Sequence, residues 1–410
     1  LEIDFMPKRD AGVALAFCAL FSLISGCTFH QGGSGSGTSE SVAAPSLNLL
    51  GLEAEMGQVG LKRAYSDHYF KDSVVQNAVL DGTDLLVSVF QGKERAYELH
   101  CIDATTGVNR WMVGGLPAPF EFAPTGGDEF VVGLFSGGHG MVVAKRRNGA
   151  RPFSLTAPVE QVPTSSAASS DSTVYVTSLV DDRLHALNPA NGFSGWAVRA
   201  NGTITAGPLV TPRLPRRLIV VGTTRGEVVA YPPSAWSESE PADAAWRREL
   251  FGEVSGKMSV ARRLTESGVE VSILVPCGDK GLYCLDAATG EPRWTHRTDH
   301  PFQGTPQAFG DRVYARNGER LYVLDLATGE PVWAQGQPGA LMSYEQAERA
   351  LTGDSTRAYL IEGGKRVHRI RGADGSAEAS ATLNSFDFIR GGESNLLIGL
   401  TKDGHIVAFH

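Results

Sequence analysis

The chain has five cysteines but no adjacent pair, no Cys-x-x-Cys and no Cys-x-x-Cys-His. Those absences exclude a thioredoxin-like redox motif and c-type haem attachment. His-Glu-x-x-His, Gly-x-Ser-x-Gly and the lysine-bearing phosphate loop are missing as well. The familiar signatures of zinc proteases, serine hydrolases and nucleotide hydrolysis are therefore not written here. Charge is scarce, at 20% of residues, and acidic in balance: 37 Lys and Arg against 45 Asp and Glu, a net of −8. That removes the basic footprint of a nucleic-acid binder. Beyond the N-terminus no apolar run approaches the ~18–20 residues of a spanning helix. What the chain has in quantity is glycine, 48 of 410 residues. Low charge with abundant glycine points to many short strands and tight turns.

From Met6, the plausible start, a basic pair, Lys8 and Arg9, precedes an apolar run from Ala11 to Ile24. Ser25, Gly26 and Cys27 follow, then a Gly/Ser tract from Gly32 to Ser41. The layout is that of an export signal. Ile24-Ser25-Gly26-Cys27 resembles the lipobox of bacterial lipoprotein signal peptides. The resemblance implies a signal over 1–26, a diacylglycerol on the Cys27 thiol and, with Thr28 following, delivery to the outer membrane. A Gly/Ser tether over 27–57 would then hold off a folded body over 58–410.

The body is repetitive. Leu282-Tyr-Cys-Leu-Asp-Ala-Ala-Thr-Gly-Glu-Pro-Arg-Trp294 returns as Leu321-Tyr-Val-Leu-Asp-Leu-Ala-Thr-Gly-Glu-Pro-Val-Trp333. Other copies begin at Leu99, Met141, Leu184, Val228, Val367 and Ile406, in steps of 39 to 54 residues. Eight copies at this spacing define a repeat protein. In each, a β-branched run meets a turn such as Arg225-Gly226, Asn317-Gly318 or Asp403-Gly404, then an alternating strand, then an Asp-x-x-Thr-Gly turn into a strand ending at Trp. Such Gly-containing pairs supply the positive φ of a tight hairpin. With a further strand before each β-branched run, the arrangement is all-β: an eight-bladed β-propeller of four-stranded antiparallel blades. The last copy stops at His410, so an N-terminal strand near Leu61 to Ser66 is needed to complete it.

Repetition also assigns most conspicuous side chains. Trp111, Trp196, Trp246, Trp294 and Trp333 share one slot and read as wedges between blades. Gly107, Gly192, Gly290 and Gly329 are the turn glycines four residues before Trp111, Trp196, Trp294 and Trp333. Cys101 and Cys284 occupy a slot that takes alanine elsewhere, a small buried position; Cys277 and Cys284 flank one turn and are a possible pair. His100, His185 and His368 share a slot in separate blades and cannot converge on one metal ion. Two irregular segments remain. One is the acidic insertion from Pro232 to Ala245. The other is the connection from Gly336 to Gly353, where Ser343 and Gln346 match a capping box and predict a short helix. Its Tyr344, Glu345 and Arg349 are candidate partner contacts.

The repeated phrase resembles the pyrroloquinoline-quinone (PQQ)-type propeller repeat, and the whole chain is similar to the lipoprotein scaffolds (BamB-type) of the outer-membrane β-barrel assembly machinery. The resemblance covers roughly residues 58–410. It implies a monomeric, lipid-anchored scaffold facing the periplasm, with protein partners in the cell envelope and no catalytic residues, cofactor or metal. The alternatives in the wider repeat family are a PQQ-dependent oxidoreductase and a cell-surface ligand sensor.

Overall fold

In a computed structural model, the described residues are 49–410 except 65–67, 71, 139, 151–163, 171, 214–215, 235, 238–242, 318–319, 333–346, 355 and 392–395. They form eight antiparallel sheets arranged as the blades of a propeller. In chain order, blades 1 to 7 run from Ser73 to Leu116, Thr125 to Lys145, Ala168 to Arg199, Ile204 to Glu249, Ser259 to Arg297, Phe302 to Asp325 and Ala347 to Thr382. Blade 8 combines Phe388 to Phe409 with His68–Tyr69. Six sheets have four strands. Blades 2 and 6 show three; the sequence ends their outer strands at Phe153 and Trp333, which lie outside the described residues.

Blade 5 shows why these residues build blades. Its strands are Ser259–Thr265, Gly268–Pro276, Gly281–Asp286 and Pro292–Arg297. Alternation puts Leu282 and Cys284 on one face of the third strand and Tyr283 and Leu285 on the other. Both faces are buried, against different neighbours. Leu282 and Cys284 pack with Trp294, Val313 and Leu324 toward blade 6. Tyr283 and Leu285 pack with Val220 and Trp246 of blade 4. Each blade is thus hydrophobic on two faces, and the core is a series of inter-blade layers rather than one centre. First strands of successive blades lie side by side around the axis.

The ring closes through its ends. Lys62 N donates to His410 O at 2.8 Å, His410 N returns a bond to Lys62 O at 2.9 Å, and Ala64 N bonds Ala408 O at 2.8 Å. His68 and Tyr69 then pair with Ile406 and His405. The region expected from sequence supplies the missing strand.

Three expectations are corrected. Residues 49–57, assigned to the tether, belong to a helix, Leu49–Gln58. Leu52 and Met56 on that helix, with Val59 just past it, are buried with Leu383, Phe386 and Phe409. Small and polar tracts on either side hid an apolar spacing of four, Leu52 to Met56, which is one helical turn. The predicted helix near Ser343 is, in its described part, a strand, Ala347–Gly353, paired with Arg357–Glu362. That stretch supplies the first strand of blade 7, and its pairing with the second strand outweighs a local capping signal. Finally, Cys277 and Cys284 are free thiols, as is Cys101, all three buried.

Candidate functional site

The shared tryptophans and glycines form the frame. Trp111 Nε1 donates to Arg146 O at 2.7 Å, Trp246 to Ala287 O at 3.1 Å and Trp294 to Leu326 O at 2.9 Å, each reaching into the next blade. The ring of each Trp lies against the turn glycine of that next blade. A Cβ on Gly149 would stand 2.8 Å from Trp111, and one on Gly329 2.5 Å from Trp294; Gly290 faces Trp246 in the same way. Trp196 is buried beside Tyr175, ring centroids 6.0 Å apart. Trp333 lies outside the described residues. The turns are uniform: Gly107, Gly192, Gly290 and Gly329 have φ between 71° and 74°. Each donates its amide at 2.8 Å to the carbonyl four residues back, at Asp103, Asn188, Asp286 and Asp325. The Asp side chains cap the same turns, as where Asp325 Oδ1 accepts from the amides of Ala327 and Thr328.

The three same-slot histidines are clasps, not ligands of a common ion. His185 Nε2 bonds Asp181 at 3.0 Å and its Nδ1 meets Ser194 at 3.0 Å. His368 is held between Glu362 at 2.9 Å and Ser380 at 2.8 Å, and His100 between Glu98 and Asn109, both at 2.9 Å. In each case the histidine ties a carboxylate to a polar group on the fourth strand. The carboxylate sits on the hairpin before the third strand for Asp181, at the end of the second strand for Glu362 and on the third strand itself for Glu98. Sequence reasoning placed these histidines together by repeat position but did not find their partners. No cluster of His, Cys, Asp and Glu that could hold a metal occurs among the described residues.

Four-stranded antiparallel blades whose first strands line the axis have two unlike ends. One carries the hairpins between second and third strands together with the connections from blade to blade. On that end, Leu179 and Val180 form the tip of the blade 3 hairpin, 59% and 73% exposed, and Phe251, on the connection into blade 5, is 86% exposed. Contiguous exposed apolar surface marks interaction sites, and Leu179 and Val180 stand side by side on one hairpin tip, with Phe251 on the same end of the ring. Both are braced. Asp181, next to Val180, is tied to His185. Burial would raise its carboxyl, but the bonds from His185 and Ser178 outweigh that and hold it below the usual range. The Arg297 guanidinium lies 5.8 Å over the Phe251 ring and is fixed by Asp279 at 2.9 Å and the Tyr283 hydroxyl at 3.1 Å. The Phe251 connection is itself pinned, with Cys277 Sγ donating to Gly252 O at 3.1 Å and Gly278 N to Glu253 O at 2.8 Å.

Leu179, Val180 and Phe251 escaped the sequence reading. The signal was present: where other copies put Arg-Gly, Asp-Lys-Gly or Asp-Gly, the third copy puts Leu179-Val180-Asp181-Asp182. Of the predicted partner contacts, Tyr344 and Glu345 lie outside the described residues, and Arg349 sits within a strand opposite Ile361 rather than on a loop. Cys27 also lies outside them. The acidic insertion is anchored in its described part: Trp236 N donates to Thr173 Oγ1 at 3.1 Å and Tyr175 donates to Ser234 O at 3.1 Å, both on blade 3. The thiols are poor nucleophiles, since burial pushes Cys101 and Cys277 up to about 12 and Cys284 to about 11.

Comparisons with known proteins agree with the ring and its repeats. The crystal structure of BamB from Moraxella catarrhalis is similar with a TM-score of 0.58 and 15% identity, over 85% of this chain and 97% of that one. A computationally designed protein, Ika8, gives 0.56 and 12% over 85% and 99%. The quinohemoprotein alcohol dehydrogenase from Comamonas testosteroni gives 0.55 and 11% over 87% and 77%. At such identities these likenesses speak for the fold alone. No curated protein sequence matches. The sequence family described as outer membrane protein assembly factor BamB matches residues 53–264 and 243–394, so nearly every blade falls within it, and the chain belongs to that family.

Proposed function

We propose that this protein is a non-enzymatic docking scaffold in outer-membrane protein assembly. It works as a monomer, held at the outer membrane on the periplasmic side by lipid on Cys27. The observation that carries the reading is the braced apolar trio Leu179, Val180 and Phe251 on one end of the ring. A ring end with a few braced, protruding apolar anchors suits recognition of a folded partner, because little side-chain freedom is lost on binding. Family membership supplies the class of partner, a component of the outer-membrane assembly machinery. The lipid follows from Ile24-Ser25-Gly26-Cys27 ahead of the Gly/Ser tract, since several acyl chains suffice for stable attachment.

The test replaces Leu179 and Val180 with Asp together, and separately Phe251 with Ala. Both variants should melt as the parent does, because these side chains are exposed, yet lose co-purification with the assembly machinery. Undiminished co-purification from normally folded variants would contradict the docking reading. Cys27→Ser with labelled palmitate checks the anchor, with loss of label and release from membranes expected.

A further inference from the structure

We propose that the axis of the ring binds a small multivalent oxyanion, a molecule with clustered carboxylate or phosphate groups. Two cavities, of about 660 and 500 Å³, lie along the first strands and share Lys257. The first is lined by Lys257, Arg316 and Arg390 and by no carboxylate among the described residues. The second adds Arg146, Arg217 and Arg262, against Asp81 and Asp128. Both of those carboxylates are already committed, Asp81 to Arg146 at 3.0 Å and Asp128 to Arg217. A third cavity, of about 570 Å³, shares Arg262 with the second and meets Asp354, whose Oδ1 caps its own turn through the amides of Thr356 and Arg357. In a chain of net charge −8, six cations line these cavities, of which Arg146 and Arg217 are balanced by Asp81 and Asp128.

Lys257 and Arg262 set the polarity. Both belong to the entry and first strand of blade 5, both are exposed to the cavity space, and neither side chain has an ion pair or hydrogen bond among the described residues. Low-dielectric walls focus the field of such charges into the half-open space between the strands. An anion there gains charge-assisted hydrogen bonds without first breaking an ion pair. The volumes fall within the roughly 300–1,000 Å³ typical of small-molecule sites, which favours a compact ligand over a polymer. The 660 Å³ cavity touches the first strands of blades 1, 6, 7 and 8 as well as Lys257. An occupant would therefore tie the ring together and raise its melting temperature by mass action. The inference stands apart from the docking face, because it uses none of the same residues.

Calorimetric titration and thermal melting of the full chain test it, with inorganic tripolyphosphate and with benzene-1,3,5-tricarboxylate as probes, each at low and high salt. Saturable 1:1 binding of at least one probe is expected, and which one binds separates a phosphate from a carboxylate ligand. The Lys257→Ala/Arg262→Ala double variant should melt like the parent without anion and bind about tenfold more weakly or worse, as loss of a charged hydrogen bond implies. Lys145→Ala, at an exposed site on the third strand of blade 2, should bind normally. Failure of both probes to bind, or equal binding by parent and double variant, would overturn the proposal.

Discussion

Replacing Gly329 with Ala isolates the contact that sets one blade against the next. Two terms oppose the substitution. Gly329 has φ +74°, where an L side chain costs roughly 1–2 kcal/mol. The new Cβ would also stand 2.5 Å from Cδ2 of Trp294, whose Nε1 is tied to Leu326 O at 2.9 Å, so the indole cannot swing away freely. Overpacking of that kind adds roughly 1–3 kcal/mol. Gly364 provides the control, with φ +67° and nothing within 4 Å of an added Cβ. Gly364→Ala should lose only the backbone term, roughly 1–2 kcal/mol, and Gly329→Ala about 2–5 kcal/mol. In a Trp294→Ala background the extra loss should vanish, leaving the two glycine sites alike. Urea denaturation with a common m-value reads all four variants. Equal losses at Gly329 and Gly364, or no relief in the Trp294→Ala background, would refute the claim that Trp and Gly lock adjacent blades.

The same physics gives further expectations. Arg146 Nε bonds the buried Asp84 at 2.7 Å, a carboxylate it shares with Arg110, so Arg146→Ala should cost about 1.5–3 kcal/mol in denaturant melts. Met56→Ala on the N-terminal helix, fully buried in the parent, should cost about 2–4 kcal/mol, whereas a tether would tolerate it. Acid sensitivity has a definite sign. Burial would raise Asp103, but bonds from Thr105 and Arg110 outweigh it and hold the carboxyl far below the usual range. Its stabilisation is present above the unfolded value of ~3.9 and fades as pH falls through that value toward the folded one. Melting temperature should therefore drop on acidification below about pH 4, and Asp103→Asn should flatten part of that drop.

Repetition made the architecture legible, because one phrase specifies a hairpin, a glycine turn and an outer-strand Trp, and copying it eight times leaves one way to bury both faces of every sheet. The closing strand followed from where the last copy stops. What escaped was what departs from the repeat. The helix at Leu49 has two buried anchors, Leu52 and Met56, too few for a periodic signal. Ser343 and Gln346 signal locally, while the strand Ala347–Gly353 is imposed by pairing with Arg357–Glu362. The histidine clasps require knowing that Asp181 and Ser194 meet across two strands, which spacing alone does not reveal. Leu179 and Val180 differ from their counterparts in other copies, but only the fold shows that they share an end of the ring with Phe251.

The most direct test of the scaffold reading is site-specific photocrosslinking in the intact envelope. A crosslinking residue at Val180 or Phe251 should trap a component of the outer-membrane assembly machinery. One at Leu264, equally exposed but at the blade 5 hairpin on the opposite end of the ring, should not. Adducts from Leu264 alone, or from none of the three, would contradict the account.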